Sequence, residues 1–151
     1  MPLSDPAPRA LQHTRNLELK AYQREDELWD IEGHITDLKE ADYSMLDNER
    51  TADQPVHDMW LRLTIDTDLV VQEAEAQMDI GAHIPCPKAA PNYSRLKGLK
   101  MGPGWNKAVR AEAGGTVGCT HLSELMRVLA TVAFQTIYPL MRKEPEAKLG
   151  G

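Results

Sequence analysis

The period of the apolar residues changes once along this chain, and that change limits the fold more than any other feature. From residue 15 to 37 they alternate: Leu17, Leu19 and Ala21 share one face. After the polar turn at 24–27, Trp29, Ile31, Gly33 and Ile35 share another, opposite Asp30, Glu32, His34 and Thr36. A two-residue period is that of an extended strand, so a β-hairpin is predicted here. A polar connection, 38–55, follows. Alternation then returns with His57, Met59, Leu61, Leu63 and Ile65, and a fourth strand from about Leu69 to Met78 turns Val70, Ala74, Ala76 and Met78 inward.

Beyond Gly81 the period becomes helical. A short helix is predicted over 90–99 and a second over 104–115, ending on a glycine pair suited to a C-cap. The third carries Leu122, Leu125, Met126, Leu129, Val132, Ala133, Thr136 and Ile137 at three- and four-residue steps and is expected to stop at Pro139. Strands followed by helices mark an α+β fold: a curved antiparallel sheet of about four strands, then three helices packed on one face. A chain of 151 residues is about one domain. The prolines at 2, 6 and 8 suggest an extended arm over 1–12, a single domain over 13–139 and a flexible tail over 140–151.

With 17 basic against 23 acidic residues and a net charge of -6, no run of Lys and Arg can follow a phosphate backbone, which argues against nucleic acid as a partner. There is neither a long apolar span nor a signal-peptide pattern at the N-terminus, so no membrane partner and a cytoplasmic location are expected. In that compartment two cysteines are reduced thiols, ligands or nucleophiles more often than a disulfide.

Nearly all residues able to move a proton or hold a metal lie in four short stretches, 34–37, 56–60, 83–91 and 118–121, each at an element boundary. Ends of elements can converge on one cleft. His57, Asp58, Cys119 and His121 are the catalytic candidates. Cys119 and His121 open the last helix, where unpaired N–H groups and the helix dipole favour a thiolate. Asp58, Cys86, Cys119 and His121 form a donor set suited to zinc or ferrous iron. No C-x-x-C or H-E-x-x-H spacing is present, so such a site would be assembled from distant segments.

Plainer readings stand beside these. Cys86 also fits a buried structural residue. His34, on the polar face of its strand, fits a solvent-facing residue or one paired with Glu32 or Asp30. Adjacent residues on a strand face opposite ways, so His57 and Asp58 cannot share a ligand unless the strand is bulged or begins after them. Trp60, Tyr93 and Trp105 read as core or lip residues; with His34 they are the candidates for touching a substrate. His13 and His83 are assigned no role.

The segments WDIEGHITD (29–37), HDMWLRLTID (57–66), YSRLKGL (93–99), GPGW (102–105) and GGTVGCTHLSEL (114–125), together with Cys86, resemble a bacterial family known as domain of unknown function 2889, from about residue 13 to 137. More distantly, the order of elements resembles the NifU-like iron–sulfur scaffold proteins. Asp58 stands in the place of their aspartate, Cys86 in that of the middle cysteine, and residues 119–121 near the histidine–cysteine pair. Val56 or His57 holds the place of the first cysteine, and the last pair is reversed, so a three-cysteine cluster site is absent.

The first resemblance implies a link to the breakdown of aromatic and lignin-derived compounds, with loss of formaldehyde from a hydroxymethyl-bearing biaryl as one reaction. It implies a small aromatic substrate and a carbon–carbon lyase. His57 or His121 would be the base, since an imidazole titrates near the working pH. Asp58 would orient a histidine or bind metal, and a bound cation would act as Lewis acid. Cys119 is the alternative nucleophile, for thioester hydrolysis. A metal or iron–sulfur carrier and a protein–protein adaptor are the non-catalytic alternatives. One zinc or iron ion, or none, and a homo-oligomer sharing its site all remain open.

Overall fold

The alternating segments pair into one antiparallel sheet. In the computed structural model, which describes residues 2–45, 48–80, 86–114 and 118–150, β1 (His13–Gln23) and β2 (Trp29–Lys39) form the expected hairpin. Its turn is held by the Arg24 N–H donating to the Leu28 carbonyl at 2.9 Å and the Leu28 N–H donating to the Asp26 carboxylate at 3.3 Å. The connection then makes a two-stranded ribbon of its own, β3 (Tyr43–Met45) and β4 (Asn48–Arg50), before β5 (His57–Ile65) and β6 (Val71–Ile80) complete the main sheet. Strands of three residues are too short to show a period, which is why this stretch reads as a plain connection. The main sheet has the order β1-β2-β5-β6, with every neighbour antiparallel.

On β6 the inward row differs from the expected one. The register shifts between Thr64, opposite Glu73, and Ile65, opposite Val71. The irregularity turns Val71 into the core, while Val70 is only half-buried and bridges to Lys100.

Helices cover one face of the sheet. The 3-10 helix Cys86–Leu96 buries Tyr93 and Leu96, and α1 (Trp105–Ala113) buries Trp105, Val109 and Ala113. The first segment is 3-10 because Pro91, inside it, removes a donor that an α-ladder needs. Helix α2 (Thr120–Gly150) sets Leu122, Leu125, Met126, Leu129, Ala133 and Ile137 against Ile31, Ile35, Met59 and Leu61 of the sheet. Each of these leucine, isoleucine and methionine side chains contributes on the order of 2 kcal/mol by burial, so the interface outweighs the helix's own propensity. At its centre Gly33 admits the helix: a Cβ there would already touch Leu125 and Leu129 at 3.4 Å. Helix α2 runs through Pro139 to Gly150 instead of stopping, since a proline removes one main-chain bond without forbidding the helix. Among the described residues no helix is long and apolar enough to cross a membrane.

Candidate functional site

The inward rows of three neighbouring strands end in polar, titratable side chains. Two residues beyond Leu17, Ile35 and Met59 stand Arg15, Asp37 and His57, and the pairing places Arg15 opposite Asp37 and Asp37 opposite His57. A polar row therefore crosses the sheet on its helix-covered face. Asp37 is fully buried. Its Oδ1 accepts Arg15 Nε–H at 2.7 Å and its Oδ2 accepts the Nη2–H at 2.8 Å, a two-pronged pairing. His13 Nε2 reaches Oδ1 at 3.0 Å and His57 Nδ1 reaches Oδ2 at 2.7 Å. An ionised carboxylate only accepts, so the His57 proton sits on Nδ1. The other nitrogen, Nε2, then carries a lone pair that is buried and has no hydrogen-bond partner among the described residues. A buried acceptor left unpaired is uncommon and calls for a reason.

The fourth group comes from the helix. His121, in the first turn of α2, lies against His57 with ring centroids 4.0 Å apart and planes inclined by 39°. Tyr93 sets the start of that helix from the buried side: its hydroxyl accepts the Cys119 N–H and donates to the Cys119 carbonyl, both at 2.8 Å, and lies 3.2 Å from Ser123 Oγ. Gly118 leaves room for this clamp, since a Cβ there would collide with the Ala113 carbonyl oxygen. His121 follows the clamp by two residues.

Burial alone would raise the Asp37 pKa. The hydrogen bonds from Arg15, His13 and His57, with the Arg15 charge, outweigh it and hold the carboxyl well below the usual carboxylate range. Burial lowers His57, reinforced by repulsion from His121, while Asp37 pulls the other way. Burial lowers His121 as well, helped by the Arg15 charge and opposed by Asp37 and Glu124. Both imidazoles are thus neutral at neutral pH and able to take a proton.

All three groups have folded pKa values below their unfolded ones, so each stabilises the fold above its unfolded pKa and loses that contribution as pH falls. The imidazole contribution is complete above about pH 6.5 and the carboxylate contribution above about pH 4. The urea midpoint should therefore decline as pH falls from 7.5 to 5 and drop again below about pH 4. His121→Ala should flatten the first of these declines.

The nitrogen and oxygen donors of Asp37, His57 and His121 lie within 4.8 Å of one another, a spacing that a small cation could bridge. The chemistry of the set fits a proton better. Both Asp37 oxygens are already engaged by Arg15, and the guanidinium charge beside them opposes a second cation. A cation would be left with the two imidazole nitrogens.

Next to the row opens a cleft of about 660 Å³ between β1, α1 and α2. Leu17, Ile35, Val109, Ala113, Leu125 and Val128 give it apolar walls, and Cys119 and His121 line it together. Of the other residues singled out in the sequence, Asp58 points from the opposite face of the sheet, as adjacency to His57 requires. There it pairs with His34 Nε2 at 2.6 Å, and His34 stacks on Trp60 at 3.8 Å; neither Glu32 nor Asp30 is its partner. Asp58 is therefore not brought together with His57, Cys119 or His121. Tyr93 and Trp105 are core residues, the latter donating its indole N–H to the Met126 carbonyl at 3.1 Å. None of His34, Trp60, Tyr93 and Trp105 lines the cleft. The side chain of Cys86 lies outside those described, as does His83. Sequence reasoning passes over Arg15, gives Asp37 no role beyond its place in the stretch 34–37, and assigns none to His13. The signal for the first two was the strand alternation itself, carried one step further.

No curated protein and no solved structure matches the chain. A family model described as "Protein of unknown function (DUF2889)" matches residues 13–135, a span holding the whole row, both helix starts and the cleft. The chain belongs to that family.

Proposed function

We propose that the protein is an acid–base enzyme, a carbon–carbon lyase that releases formaldehyde from hydroxymethyl-bearing, lignin-type aromatic compounds. The observation that carries this reading is the buried Asp37–His57 pair, whose Nε2 has no hydrogen-bond partner among the described residues and whose ring packs against the His121 that lines an apolar cleft. A cleft of this size and lining suits an aromatic body.

His57 takes the proton of the primary hydroxyl by way of His121, the imidazole that lines the cleft, because Asp37 bonded at Nδ1 stabilises the imidazolium that forms. The O–H electron pair becomes the carbonyl of formaldehyde and the carbon–carbon bond breaks. Its electrons form an alkene with the next carbon as the bond from that carbon to an aryl oxygen opens. The aryl oxide receives a proton by way of His121, the imidazole in the cleft wall. The products sum to the substrate, so no oxidant or reductant is consumed. A metal or iron–sulfur carrier gains no comparable support, since Asp58 faces away from Cys119 and His121.

Incubation with a phenylcoumaran bearing a free hydroxymethyl group tests this. Formaldehyde and a stilbene should appear in equal amounts, with no added nicotinamide or oxygen. Unchanged substrate would contradict the reading.

A further inference from the structure

The cleft carries a charge that its proposed acid–base centre does not use. Among the described residues three arginines line it, Arg15, Arg110 and Arg127, against one acidic residue, Glu124, in a chain whose net charge is -6. Arg15 is committed to Asp37 and reaches Glu124 at 3.5 Å. Arg110, on α1, gives only its Nε–H to the Asn106 carbonyl, a long 3.4 Å bond within its own helix. Arg127 stands on α2, and no carboxylate among the described residues pairs with either of these two. Both are exposed, while Ile35, Val109, Ala113 and Leu125 in the same cleft are buried. Two guanidinium forks thus stand on the two helices that wall an apolar cleft, with an imidazole lining the same space.

We infer that this cleft selects aromatic substrates bearing a carboxylate, with Arg110 and Arg127 as the residues that recognise it. Guanidinium forks match the planar, two-oxygen geometry of a carboxylate. At neutral pH a phenol is uncharged, so the carboxylate is the common aromatic substituent able to use both arginines. The inference deepens the lyase reading by naming the substrate class, and it rests on that reading only in treating the cleft as the substrate site.

Binding separates the two claims. Dissociation constants for 4-hydroxy-3-methoxycinnamate and its methyl ester are measured calorimetrically with wild type, the double variant Arg110→Gln/Arg127→Gln, Lys97→Gln and His57→Gln. Wild type should prefer the carboxylate by about ten-fold, a preference that weakens with salt. The double variant should lose it, while Lys97→Gln, remote from the cleft, keeps it. His57→Gln should keep it too, whatever becomes of turnover, so failure of the lyase chemistry would leave this result standing. Equal binding of the two compounds, binding of neither, or a preference that survives in the double variant would overturn the inference.

Discussion

Asp37→Asn should lower turnover by on the order of a thousand-fold or more, because an amide cannot hold His57 in the tautomer that leaves Nε2 bare. The same change should cost about 2 kcal/mol of stability, since it removes the buried counter-charge of the Arg15 guanidinium and leaves only the exposed Glu124 beside it. A larger loss is not expected, because the Arg15 side chain keeps 36% of its surface in solvent. Equilibrium urea unfolding and initial rates of formaldehyde release read the two effects separately. Because asparagine has no charge to lose, the fall in stability below about pH 4 should shrink in this variant.

Replacement of the imidazoles should divide the roles. His57→Gln should reduce formaldehyde release by on the order of a thousand-fold or more, with KM nearly unchanged, because in the proposed reaction His57 receives the proton through His121 and does not itself line the cleft. His121→Ala should also abolish turnover while the chain remains folded. It should raise KM as well, since His121 forms part of the cleft wall. In wild type the rate should fall as the imidazole pair becomes protonated, at a pH lower than the ordinary imidazole range because burial holds both groups down. Circular dichroism of each variant beside its rate distinguishes lost chemistry from lost structure. Full activity in His57→Gln would move the base elsewhere.

The main sheet and the long helix are legible because their apolar residues repeat at two and at three to four positions. Leu17 with Leu19, Met59 with Leu61 and Leu125 with Leu129 each announce a face. Asp37 escapes the same reading for a physical reason. A carboxylate is expected in solvent, and only the step from Ile35 to Asp37 on one face, taken together with the step from Leu17 back to Arg15, shows charge where the core should continue. The pairing of the two needs the register set by the β1–β2 turn, which places Arg15 opposite Asp37 across 22 residues. The separation of His57 from Asp58 follows from strand geometry alone. The Asp58 partner, His34, lies 24 residues away and depends on the β2–β5 pairing. The clamp of Tyr93 on Cys119 joins segments 26 residues apart with no local signature, so the placing of His121 against His57 is a product of tertiary packing.

The central claim is that His57 is a neutral base, held by Asp37 through Nδ1 and bare at Nε2. Long-range proton–nitrogen NMR of the histidine rings in wild-type protein at pH 7 tests it most directly and needs no substrate. The account predicts one neutral ring assigned to His57 with its proton on Nδ1, and loss of that signature in Asp37→Asn. A His57 ring protonated at Nε2 alone, or at both nitrogens, at pH 7 would contradict it.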